Sequence, residues 1–88
     1  KFSYDHAQNV ERGAQELADI KEFRQASNRF EIAGADYEIT GRAQEAIRVY
    51  SCALECANQT GNVSRAAYLE GELERVRSTS DTGISKRD

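Results

Sequence analysis

The chain reads as an all-α protein of about four helices, packed as antiparallel hairpins. Three observations carry that reading. Its 88 residues include neither Pro nor Trp, while Ala, Glu, Arg and Gln, all good helix formers, are frequent. Apolar residues recur at intervals of three and four, the period of one helical face. The recurrence breaks at Gly41 and Gly61, where a stopping helix favours a residue that reaches the left-handed backbone region.

The first helix is expected over about 4–20. Ser3 is its N-cap and Asp5 sits in the first turn, where a carboxylate suits the helix dipole. Ala7, Val10, Ala14, Leu17, Ala18 and Ile20 form its apolar face, and Gly13 is read as a tolerated interruption within a continuous helix. The turn is placed at Asp19–Glu22 although Gly and Pro are missing there; one bent helix from Tyr4 to Thr40 is the alternative.

The second helix, about 22–40, carries Phe23, Ala26, Phe30, Ala33, Gly34 and Tyr37 on one side, with Arg24, Asn28, Arg29, Glu31, Asp36 and Glu38 read as the polar remainder. A tight turn at Gly41 makes it the antiparallel neighbour of a third helix, about 42–59, with Ala46, Val49, Tyr50, Ala53 and Ala57. The fourth, about 63–78, uses Ala66, Leu69, Leu73 and Val76, in a register the sequence leaves open. Residues 1–78 therefore make one domain, and 79–88 read as a disordered tail.

The stretch from Phe30 to Ala57 organises the rest. It runs Phe30-x2-Ala33-Gly34-x2-Tyr37, then Gly41, then Ala46-x3-Tyr50 with Ala53-Leu54 a turn later. Small residues at Gly34 and Ala46 let two helices approach, and the aromatics fill the space around them. This resembles one tetratricopeptide repeat (TPR) over about 27–60. It departs from the pattern where Ala33 replaces a larger apolar residue and Asn58 stands in place of a terminating proline. The continuation past Asn58 is similar to the variety of repeat whose second helix runs on. Flanking helices fit atypical end repeats, and equally a plain four-helix bundle.

The resemblance implies a protein- or peptide-binding module whose groove would be lined by Asn28, Glu31, Ala35, Glu38 and Ile39. It does not carry the cationic clamp that part of the family uses for carboxylate ends, since Glu31 and Ala35 stand where that clamp needs a cation and an amide. By charge, a basic or apolar segment is the better partner. The simpler reading leaves Glu31 and Glu38 in solvent. Self-association of helices between chains is an alternative, because one repeat cannot bury its own face. A third is the three-helix MIT module of endosomal sorting, whose acidic-and-glycine spacing Asp36–Gly41 does not match.

Catalytic chemistry finds little material. His6 is the only histidine, so a histidine metal cluster or a triad lacks parts. Cys52 and Cys56, one turn apart, read as small apolar fillers, in keeping with a reducing, cytoplasmic setting. The glycines are scattered singly, so no phosphate cradle forms. The expectation is a non-enzymatic chain without cofactor, metal or catalytic residue. A net charge of −3 with no basic stripe argues against nucleic acid. Apolar runs of three or four residues exclude a membrane-inserted helix.

Overall fold

The structure, a computed structural model, describes the backbone of residues 4–85 and the side chains of residues 4–79. Four helices follow one another: α1 (Tyr4–Asp19), α2 (Phe23–Ile39), α3 (Ala43–Thr60) and α4 (Val63–Ser85). Helix class, number and order agree with the sequence reading. The expected cap at Ser3 and the tail residues 86–88 lie outside the described residues. α4 is longer than its apolar period suggested, continuing past Ser78; no proline stops it, and the Thr79 hydroxyl donates to the Arg75 carbonyl within the helix.

Three turns of one design separate the helices. The left-handed residues are Lys21 (φ 67°), Gly41 (φ 79°) and Gly61 (φ 72°), spaced evenly by 20 residues. In each turn the following amide donates back to a carbonyl five residues earlier: Glu22 to Leu17 at 2.8 Å, Arg42 to Tyr37 at 2.7 Å, Asn62 to Ala57 at 3.2 Å. This is the Schellman arrangement, which satisfies carbonyls that a helix end would otherwise leave open. The first turn uses it without glycine. A side chain in the left-handed region costs roughly 1 kcal/mol, so Lys21→Gly is expected to raise stability by about 1 kcal/mol. Urea denaturation followed by circular dichroism checks this; a neutral or destabilising result would show that Lys21 makes up its backbone cost elsewhere.

Consecutive helices pack as antiparallel hairpins, α1 on α2, α2 on α3 and α3 on α4. Alternate helices therefore run parallel and meet side by side through polar groups. Arg48 of α3 forms an ion pair with Glu11 of α1, and Arg75 of α4 pairs with Glu38 of α2. The result is two layers, α1 with α3 and α2 with α4. The two-helix unit recurs every 40 residues, between the left-handed positions 21 and 61, against 34 in the tetratricopeptide pattern. α3 accounts for part of the extra length, since it runs through Asn58 to Thr60.

The core lies between the layers. α2 contributes Ala26, Phe30, Ala33 and Tyr37, α3 Ala46, Val49, Tyr50 and Ala53, and α4 Leu69, Leu73 and Val76. Fully burying a Leu or Val side chain is worth about 1.5–3 kcal/mol, which is what holds α4 in place. α2 and α3 approach most closely at Gly34, where an added Cβ would lie 2.7 Å from the Tyr50 ring. The Tyr4 ring tilts against Tyr37 at 6.0 Å between centroids, and the Arg42 guanidinium stacks over its other side, 4.1 Å from the centroid.

Asp36, read as part of the polar face, is not on the surface, and a second polar residue is buried with it. Asp36 is fully buried, as is Ser27. Asp36 falls at the border of the α2 apolar stripe, where α1 crosses, and its Oδ2 meets Nδ1 of His6. Ser27 donates to the Ala53 carbonyl at 2.9 Å and accepts from Arg65 Nε at 2.9 Å, so its hydroxyl links three helices. Buried polar groups persist where such partners exist.

Candidate functional site

Once α1, α3 and α4 have covered three sides of α2, one strip of it remains open. Along that strip lie Arg24, Asn28, Ile32, Ala35 and Ile39, at the intervals of three and four that bring residues onto one side of a helix. Arg24 and Asn28 are exposed and Ala35 half-buried. Ile32 and Ile39 expose 47% and 60% of their surface. Among the described residues Tyr4, Ile20, Val63 and Tyr68 are exposed as well, but Ile32 and Ile39 share one strip of the helix that anchors the fold.

The expected groove residues thus divide. Asn28, Ala35 and Ile39 lie on this ridge. Glu31 and Glu38 lie on its flank toward α4, and the expectation that they sit free in solvent is corrected: both are half-buried and engaged. Glu31 accepts from Arg65 at 2.6 Å and from the Tyr68 hydroxyl at 2.9 Å. Glu38 takes both Arg75 nitrogens, at 2.8 and 2.9 Å, and also accepts from the Tyr50 hydroxyl at 2.9 Å. These contacts lay α4 along α2, with Arg65, Tyr68 and Arg75 reaching the same side. Ile32 was missed from the sequence. The available signal was its position opposite the apolar stripe, where a large aliphatic residue has no core to enter.

The electrostatics follow. The Arg75 hydrogen bond, more than any other influence, holds the Glu38 carboxyl below the ordinary 4.5, with Tyr50 adding to it against the opposing effect of burial. Glu11 is lowered by Arg48 in the same way. A depressed carboxylate stabilises the fold above its unfolded pKa, and that stabilisation disappears as pH falls through the folded value. Stability is therefore expected to decline below about pH 4.5, and more shallowly in Glu38→Gln. Acid titration of the two proteins under urea checks this, and coincident slopes would remove Glu38 from the account. Burial, joined by the Glu11 hydrogen bond, pushes the Tyr37 hydroxyl up to about 12. Its contribution is complete below pH 10 and is lost as pH rises from there through the folded value of about 12.

The two thiols lie elsewhere, in an open cavity of about 260 Å³ walled by Ala18, Phe23 and Phe30. Cys52 is half-buried and Cys56 buried, and neither is in a disulfide. Burial pushes both thiols up, and for Cys52 that outweighs the nearby Arg48 charge. Such thiols are poor nucleophiles at neutral pH. Among the described residues no group of three or more His, Cys, Asp or Glu is placed to hold a metal ion, and no helix is long and apolar enough to cross a membrane.

Comparisons of the chain with protein-family models, with curated proteins and with solved structures find no match.

Proposed function

We propose that this chain is a non-enzymatic interaction module, a helical scaffold that docks a peptide or a partner helix along the open ridge of α2. The observation that supports it is the pair Ile32 and Ile39, exposed on the helix that every other helix helps to position. The scaffold has the form such a role asks for. Hairpins with the small-and-aromatic pattern of a tetratricopeptide repeat support α2 from behind, and the ion pairs to α4 brace it from the side. Rigid presentation lowers the entropy cost of binding. Two free thiols fit a reducing intracellular setting.

The test starts from a random peptide library displayed on phage and selected on the folded chain. Peptides that bind are expected to shift the amide resonances of α2 between Asn28 and Ile39. They are also expected to be lost to Ile32→Asp and Ile39→Asp, which are exposed and should leave the thermal midpoint within a few degrees, as surface changes do. Enriched peptides held equally by both variants, or a library yielding none, would sink the ridge as a binding site. Sedimentation of the chain alone addresses the alternative that the same face joins two copies: a dimer broken by Ile32→Asp would favour self-association.

A further inference from the structure

We infer that the partner of the α2 ridge is an aliphatic segment carrying carboxylates, not a basic one. The inference rests on the ridge being the docking site and goes on to its charge. By sequence, Glu31 and Glu38 give the groove an acidic character that would call for cations. The structure removes that character. Arg65 holds Glu31 and Arg75 holds Glu38, while Asp36 is buried against His6. A basic segment would have to displace an arginine already seated on each glutamate, gaining one ion pair for each one lost. The ridge itself has no carboxylate.

Its cations are in the opposite condition. Arg24 stands at the N-terminal end of the ridge, and Arg29 lies one turn on, toward α1. Both are exposed, and neither has an ion pair among the described residues. The nearest exposed carboxylate in sequence, Glu22, precedes α2 and at 100° per residue falls away from the Arg24 side. A ligand running along the ridge thus meets aliphatic surface at Ile32 and Ile39 and unpaired guanidinium groups toward the start of α2. Carboxylates on the segment next to Arg24 complete the match, since guanidinium pairs well with carboxylate in two-point geometry and complementary charge sets the register of a docked chain.

The experiment reads the charge of the sequences selected on the folded chain, then measures affinities of two synthetic peptides sharing one aliphatic pattern, one with flanking Glu and one with flanking Lys. The Glu peptide is expected to bind more tightly. Arg24→Glu should weaken it roughly tenfold, the scale of one interfacial charge pair, and improve the Lys peptide. Glu74→Lys, exposed on α4, is the control and should change neither. Selection of Lys- and Arg-rich sequences that still require Ile32 would overturn this inference while leaving the ridge as a docking site. Loss of any Ile32-dependent binding would overturn both. An Arg24→Glu variant binding the Glu peptide as well as wild type would overturn the role of Arg24 and, with it, the charge assignment.

Discussion

Gly34→Ala is expected to destabilise the fold by about 1–3 kcal/mol, the usual range for a side chain forced into a packed core. The sign is not obvious in advance. Alanine in place of an interior helical glycine gains about 1 kcal/mol of helix propensity, and at Gly13 or Gly71, where an added Cβ meets nothing within 4 Å, that gain should be realised. At Gly34 the new methyl would lie 2.7–2.9 Å from three carbons of the Tyr50 ring. The ring cannot move aside cheaply, because it is 2% exposed and its hydroxyl is held by Glu38, which is held in turn by Arg75. The strain would therefore reach the brace between α2 and α4 as well as the α2–α3 hairpin. Gly34→Leu should prevent the hairpin from closing. Urea denaturation gives the first value, and a double-mutant cycle with Tyr50→Leu gives the second: removing the ring should recover much of the Gly34→Ala cost. A stabilised Gly34→Ala protein would show that close helix approach does not set the geometry of this pair.

That close approach was legible in the sequence, whereas features set by long-range packing were not. Gly34, Tyr50 and Gly41 carry local information: a small residue opposite an aromatic, and a stop where left-handed backbone is needed. The turns at Gly41 and Gly61 placed the four helix ends beside them, at Ile39, Ala43, Thr60 and Val63, to within a residue. The turn at Lys21 was readable only as a pause in the apolar period, since nothing in a lysine announces a positive φ. Asp36 and Ser27 could not be placed because their burial depends on where α1 and α4 cross α2, a property of the assembled layers. The register of α4 stayed open for a related reason. Arg65, Tyr68 and Arg75, which set it against α2, look in sequence like ordinary surface residues. Glu31 and Glu38 read in sequence as groove positions beside Asn28, Ala35 and Ile39, or as solvated side chains, whereas the fold seats Arg65 and Arg75 on them. Their occupants lie 34 to 37 residues away in the chain, beyond any local pattern. Ile32 stands outside the apolar stripe of Phe30, Ala33 and Tyr37, so the helical period that marks the core does not mark it.

His6→Ala is expected to loosen the first helix selectively. Asp36 has no exposed surface, and its Oδ1 lacks a hydrogen-bond partner. Its other oxygen is turned to His6, which projects from the first turns of α1. With the imidazole gone, a buried carboxylate loses the partner that α1 supplies, and leaving such a group unsatisfied costs about 1–3 kcal/mol. Asp36→Asn removes the charge while keeping the shape, so it should cost less, and His6→Ala should cost less again in the Asp36→Asn background than in the wild type. That non-additivity is what identifies the pair. Hydrogen exchange locates the effect. Amides of α1 should lose protection while those of α3, packed between α2 and α4, keep most of theirs. Additive losses, or protection falling equally in α1 and α3, would mean that His6 does not act through Asp36. The outcome bears on the ridge as well, because Asp36 lies on α2 between Ala35 and Ile39. An α1 that comes away would uncover the side of α2 opposite its brace to α4, and peptide binding should weaken in His6→Ala even though His6 lies off the ridge.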